Sequence, residues 1–153
     1  MVKIKEIINP FIEEASDILL RLGNIKIDLK GRKNIKTITI EDGIMLQVGL
    51  TGTYEGQFIL EMSKDLALKI ASNNKGYPIV TVDKSTEEIL VEIVNLIVAN
   101  AVAKLINQGI SLKVIFTNIL IGKDIKYISE KEILSIPIKD KKDLVINLTL
   151  DKF

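Results

Sequence analysis

The segment that most constrains the fold is a long apolar stretch, residues 90–105, which reads LVEIVNLIVANAVAKL. At about 100° per residue, its apolar side chains cover one broad face of an α-helix; they are Leu90, Ile93, Val94, Ile97, Ala101 and Leu105. Ser85 is the predicted N-cap, and Glu88 stands three residues later at the capping-box position. We expect the helix to run to about Gly109 and to bury its apolar face.

A narrow stripe on the opposite side of this helix carries Glu88, Glu92, Asn95 and Ala99. Glu92 and Asn95 are three residues apart, so they are neighbours on the helix surface and can present their polar ends together. Ala99 leaves a low spot that another backbone could approach, whereas Lys104 lies off the stripe and is predicted to be structural. A functional pair and an ordinary solvent-facing stripe both fit these residues. Asn costs a helix roughly half a kcal/mol relative to Ala, which favours a functional reason.

Composition excludes several classes of chemistry. The chain has no cysteine and no histidine, which removes disulfides, thiol nucleophiles, Ser–His pairs, imidazole-bound zinc and phosphohistidine. Twenty-one basic residues against twenty acidic ones argue against nucleic acid or an anionic membrane as partner. No calcium-loop motif is present, so no metal site is predicted.

The charged N-terminus lacks a signal-peptide pattern, and residues 90–105 are too polar for a simple membrane span. We expect a soluble, cytoplasmic protein.

The remaining patterns predict two shorter helices and several strands. One helix begins at Asn9-Pro10 and ends at Gly23, and another begins at the N-cap Ser63. Alternating or apolar runs predict strands at residues 24–30, 36–42, 44–50, 54–62, 112–122, 131–139 and 144–150. We therefore predict one α+β domain over residues 1–153, with an antiparallel sheet on which the long helix and two shorter helices pack.

Three glycines in the segment GLTGTYEG raise the question of a phosphate-binding loop; they are Gly49, Gly52 and Gly56. A P-loop requires a following GK[ST] and a helix N-terminus, and this sequence has neither. The flanking segments are predicted strands. The glycines therefore indicate a hairpin, in which they ease the turn and allow a close packing contact.

Four segments, in this order along the chain, carry a resemblance to a known family: NPFIEEASDILLRL, VGLTGTYEGQFILEMSKDLALKIAS, EIVNLIVANAVAKL and FTNILIG. They are similar to the opening helix, the strand–turn–strand–helix segment, the signature helix and the following strand of the CheC/CheX chemotaxis phosphatases. The chain most resembles the CheX-like members. The signature helix of that family carries E-x-x-N, which here is Glu92 and Asn95.

The resemblance implies a phosphatase that acts on the aspartyl phosphate of a CheY-type response regulator. The carboxylate of Glu92 would pair with the regulator's lysine, and the carboxamide of Asn95 would orient the attacking water. Glu88 and Ala99 would contact the partner. The protein would need no cofactor of its own, since the regulator supplies Mg²⁺, and it would be a homodimer with sheets joined across the interface. The first helix has no E-x-x-N, so one active site is expected.

Two departures from the family pattern leave an alternative open. The family has Asp or Ser four residues before the Glu, and here that residue is Glu88. The family also has a proline about two dozen residues after the Asn, where this chain has Thr117-Asn118, which leaves the shape of the neighbouring loop open. The alternative is a non-catalytic binding module, an adaptor in two-component or flagellar-switch signalling. A buried Asn95 would favour it.

Overall fold

The computed structural model describes residues 4–29, 31–137 and 143–152. In this part of the chain the elements are α1 (Ile4–Gly23), β1 (Lys33–Gly52), β2 (Tyr54–Met62), α2 (Lys64–Lys75), α3 (Lys84–Ile106), β3 (Leu112–Pro137) and β4 (Leu144–Lys152). All strand pairings are antiparallel. The predicted α+β class, with one long helix and two others packed on an antiparallel sheet, is confirmed.

The sheet curls on itself. Its strand order is β1-β2-β4-β3, and β3 also pairs with β1, so the pairings close into a barrel. The β1–β3 ladder is the longest and runs from the Lys33–Ser135 pair to the Gly52–Leu112 pair. Its register shifts between Ile35 and Thr37 and again next to Gly49. Such irregularities bend and twist a strand, and at its C-terminal end β3 pairs with β1 on one side and with β4 on the other, at Leu134 and Ser135.

One predicted strand is wrong, and another is not a separate strand. Residues 24–28 form no strand, although they alternate in polarity. The backbone N–H groups of Asn24 and Ile25 instead donate to carbonyls of the last turn of α1, and Ile25 is buried in the core. The alternation therefore reflects packing rather than a ladder. The strand predicted at 131–139 is the continuation of β3, which extends to Pro137; residues 138 and 139, like Lys30, lie outside the described residues.

The predicted start of the first helix is also wrong. α1 already includes Ile4, and Pro10 lies inside it. Ile7 and Ile8 are fully buried, so the apolar face extends across the proline, and its burial outweighs the lost backbone hydrogen bond. Asn9 is not an N-cap: its side-chain oxygen accepts a hydrogen bond from Arg32.

The other two helices begin with side-chain caps. Ser63 caps α2 as predicted, since its hydroxyl oxygen accepts from the N–H of Leu66 at 3.1 Å. The N-cap of α3 is Asp83 rather than Ser85. Its carboxylate accepts from the N–H of Thr86 at 3.0 Å, and the Thr86 side chain completes a capping box. Both Asp and Ser cap helices well, and the complete burial of Thr86 favours the earlier start. Glu88 therefore has no capping role.

The main core lies between the three helices and one face of the sheet. Phe11 of α1 stacks on Phe58 of β2 with ring centroids 5.1 Å apart, and both rings are fully buried. The six apolar residues predicted to form the inner face of α3 are all buried. α3 is long and apolar enough to cross a membrane by length and composition, but its apolar face packs in this core. The opposite stripe consequently faces outward.

The β1–β2 hairpin accounts for the glycines. Gly52 has φ +132° at the turn, a conformation that favours glycine. A Cβ on Gly56 would lie 1.8 Å from the backbone oxygen of Thr149, and a Cβ on Gly49 would lie 2.2 Å from the ring of Phe116. The hairpin and the close packing contacts predicted from GLTGTYEG are therefore both present.

Candidate functional site

The outer stripe of α3 forms a shallow open groove. Glu88, Glu92, Asn95 and Ala99 are all exposed, and they line a depression of about 570 Å³ together with the half-buried side chains of Val91 and Leu96. The structure thus brings together the four residues singled out from the sequence. The apolar flanks add surface that a partner protein can bury.

α3 is held in place on both its inner face and its flank. The inner face contributes eight buried apolar residues to the core. On the flank, the ammonium group of Lys104 contacts the carboxylates of Glu14 at 2.8 Å and Glu13 at 3.0 Å on α1. These hydrogen bonds, first to Glu14 and then to Glu13, raise the pKa of Lys104. Lys104 therefore joins two helices, in agreement with its predicted structural role, and the groove rests on a fixed support.

The carboxamide of Asn95 has a partner on the neighbouring strand. The hydroxyl of Thr117, on β3, donates to Oδ1 of Asn95 at 2.7 Å. Thr117 pairs with Val48 of β1, a fully buried core residue, so the Thr117 side chain lies on the face of the sheet that the helices cover. Asn95 is thus exposed but tethered. It is not buried, which was the arrangement that would favour the adaptor alternative.

The charge of the groove is one-sided. Its six lining residues include two carboxylates, from Glu88 and Glu92, and no cation. The two carboxylates have no positive charge beside them in the groove lining. The groove therefore favours a basic group on a partner. Within residues 4–29, 31–137 and 143–152, no cluster of three or more acidic residues that could hold a metal ion occurs.

The position at which the family pattern has a proline lies in a strand of this structure. Thr117 and Asn118 lie within β3 and pair with Val48 and Gln47 of β1. The sequence left the shape of the neighbouring loop open; the structure places Thr117 and Asn118 in the β1–β3 ladder, which continues regularly through both residues. A threonine at this point also supplies a hydroxyl, which proline lacks.

The sequence reasoning missed Thr117, Val91 and Leu96 as members of the site. The apolar pair could have been found by extending the polar stripe to its two flanks on the helical wheel. Thr117 had a weaker signal: it and Asn118 are polar residues inside the apolar run VIFTNILI. That pattern marks an unusual point in a strand, but it does not say which residue of α3 lies opposite.

The sequence profile of the family described as Chemotaxis phosphatase CheX matches residues 44–139, which is more than half of the chain. The chain belongs to the CheX family. The matched range contains α2, α3 and every residue of the groove. The resemblance inferred from the four sequence segments is thereby confirmed. No curated protein matches the chain closely enough to count as a relative.

Several solved structures share the fold of this CheX-family chain. A CheC-like superfamily protein from Shewanella sp. PV-4 has a TM-score of 0.87 at 16% identity and covers 98% of this chain and 99% of its own. The chemotaxis protein CheX from Vibrio vulnificus has a TM-score of 0.85 at 19% identity, covering 95% and 99%. The structure of a CheX-CheY-BeF3-Mg+2 complex from Borrelia burgdorferi gives 0.73 at 24% identity, covering 95% and 97%. At these identities the likeness establishes the fold.

Proposed function

We propose that this protein dephosphorylates the aspartyl phosphate of a CheY-type response regulator, with Glu92 and Asn95 entering the regulator's active site. The observation that carries the proposal is that these two side chains project together from the exposed stripe of α3 in a chain that belongs to a chemotaxis phosphatase family. The Borrelia burgdorferi complex supports the class of partner, because it joins a CheX to a CheY.

Glu92 is the docking group in this proposal. Its carboxylate accepts a charge-assisted hydrogen bond from the lysine of the regulator's active site, an interaction stronger than a neutral hydrogen bond. None of the six described residues that line the groove is cationic, so the carboxylate is available to the partner. Glu88, one turn earlier, adds a second negative charge, and Ala99 allows the regulator's backbone to approach the helix closely.

Asn95 is the group that positions water. A carboxamide offers both an acceptor and a donor, so it can hold a water molecule in line with the phosphorus atom. Positioning of this kind can supply much of the acceleration of a phosphoryl transfer without a protein nucleophile. This requirement suits a chain without histidine or cysteine. The regulator provides the Mg²⁺, and the phosphatase has no cofactor of its own.

The proposal includes a cytoplasmic homodimer. In the described part of the chain, β3 from Leu112 to Ile133 pairs with β1 but not with β4, whose pairing starts at Leu134. This open edge carries exposed apolar side chains, namely Val114, Ile115, Phe116, Leu120 and Ile121. An apolar open edge favours pairing with another strand, and a second copy of β3 provides one.

The test is the lifetime of the phosphorylated receiver. A CheY-type receiver is phosphorylated, freed of phosphodonor and mixed with the wild-type protein, with Asn95→Ala or with Asn107→Ala. Asn107 is the control, because it is the C-cap of α3 and lies outside the groove. The wild type and Asn107→Ala should shorten the lifetime, and Asn95→Ala should not. If the wild type is no faster than Asn95→Ala, the proposal fails; stable binding with an unchanged lifetime would instead support the adaptor.

A further inference from the structure

Thr117 was singled out in the sequence only as a departure from the family pattern, and no role in the site was predicted for it. Its hydroxyl lies 2.7 Å from Oδ1 of Asn95, and the two residues are 22 positions apart in the chain. We propose that Thr117 is a positioning residue for the phosphatase reaction, which holds the Asn95 carboxamide in the orientation that receives the attacking water. This inference rests on the proposed function of Asn95.

The hydroxyl of Thr117 is itself well fixed. Thr117 sits inside the regular β1–β3 ladder opposite Val48, and Val48 is fully buried in the main core. Threonine is branched at Cβ and has restricted χ1 freedom. The donor is therefore fixed by the sheet, whereas its acceptor is carried by α3. The hydrogen bond joins the two layers at the site where Asn95 projects.

Asn95 needs such a partner because its side chain is exposed. In the described part of the chain, Thr117 is the residue that hydrogen-bonds to the carboxamide. An exposed asparagine without a fixed partner rotates about both side-chain bonds and samples both orientations of its amide. Water would then meet the oxygen or the nitrogen at varying angles, so only part of the population would be oriented for attack.

The bond to Thr117 leaves the catalytic capacity of Asn95 intact. A carboxamide oxygen has two lone pairs, and the amide nitrogen has two N–H donors. Thr117 uses one lone pair. The second lone pair and the N–H groups remain for a water molecule and for the phosphoryl oxygens, so the tether orients Asn95 without blocking it.

The expected loss of rate on removing the Thr117 hydroxyl follows from the free-energy cost of ordering the Asn95 side chain. Immobilising an exposed side chain at an interface costs about 0.5–1.5 kcal/mol, which corresponds to about a 2- to 12-fold change in rate. Loss of the tether should therefore lower the maximal dephosphorylation rate by about that factor. The concentration of phosphatase that gives half the maximal rate should stay unchanged, since docking by Glu92 does not depend on Thr117.

The experiment compares Thr117→Val, which keeps the shape and removes the hydroxyl, with Thr117→Ser, which keeps the hydroxyl. Thr39→Val is the matched control, because Thr39 is an exposed threonine on β1 that lies outside the groove. Single-turnover loss of phosphate from the receiver is measured over a range of phosphatase concentrations. We expect Thr117→Val to lose maximal rate, Thr117→Ser to restore it and Thr39→Val to match the wild type. If Thr117→Val matches the wild type while Asn95→Ala is inactive, the positioning role is refuted and the proposed function stands.

A second readout does not depend on activity. The order parameter of the Asn95 side-chain amide is measured by ¹⁵N relaxation in the free protein. It should fall in Thr117→Val and return in Thr117→Ser. An unchanged order parameter in Thr117→Val would overturn the tether whatever the activity assay gives. A wild-type protein that leaves the phosphate lifetime unchanged overturns the proposed function, and the positioning role with it.

Discussion

Ala99 offers a way to block the groove without disturbing the fold. It is exposed on the outer stripe of α3 and lines the groove one turn beyond Asn95. Glutamine is a good helix former, so Ala99→Gln should lower the free energy of unfolding by less than about 0.5 kcal/mol. The longer side chain would fill the space that a docked partner needs. Forcing extra atoms into a packed contact costs about 1–3 kcal/mol, which is about a 5- to 150-fold loss of affinity.

The assay for Ala99→Gln is a titration of a CheY-type receiver held in its phosphorylated form by beryllofluoride and Mg²⁺, followed by fluorescence anisotropy. Ala103→Gln is the matched control, since Ala103 is also exposed on α3 but is not part of the groove lining. Urea unfolding of both variants checks that the fold is intact. An affinity of Ala99→Gln within twofold of that of Ala103→Gln would refute the assignment of this groove as the docking surface.

Two further predictions concern the curled sheet. Burial raises the pKa of Glu61, against the opposing hydrogen bond from Asn147. The folded state therefore binds this proton more tightly than the unfolded state, and the stabilisation present below the unfolded pKa is lost as pH rises through the folded pKa. Glu61→Gln should weaken that pH dependence in urea unfolding followed upward from the ordinary glutamate pKa of about 4.3; identical wild-type and variant profiles would contradict this. Gly56→Ala should cost at least about 2 kcal/mol, because its Cβ would lie 1.8 Å from the backbone oxygen of Thr149. Gly31→Ala, with open space around it, should stay within about 0.5 kcal/mol in the same denaturation assay, and equal costs for the two variants would refute the clash.

The fold could be predicted where the pattern was local and the element was buried on one side. The inner face of α3, the cap at Ser63 and the hairpin around Gly52 all follow from periodicity or turn chemistry, and the structure contains them. The errors arose where contacts between residues far apart in the chain determine the local structure. α1 extends through Pro10 because its earlier residues are buried in the core, and residues 24–28 form no strand because Ile25 and Ile27 pack on the core without forming a ladder.

In the candidate site, too, the local features could be predicted from the sequence and the contacts between distant residues could not. The proximity of Glu92 to Asn95 is a property of helical spacing, so it could be read from the sequence alone. The contact between Asn95 and Thr117 depends on how α3 lies on the sheet and on the register of β3 against β1. Neither is encoded in the local pattern around either residue. The exposed stripe of α3 therefore could be predicted, whereas its apolar flanks were missed and its tether to the sheet could not be predicted.

The most direct test of the central claim is the maximal single-turnover rate of phosphate loss from a phosphorylated receiver at saturating phosphatase, for the wild type and for Asn95→Ala. If Asn95 orients the attacking water, its removal should slow the maximal rate by about 100-fold towards the rate of the receiver alone, while half-saturation remains near the wild-type concentration. A maximal rate for Asn95→Ala equal to that of the wild type would contradict the account.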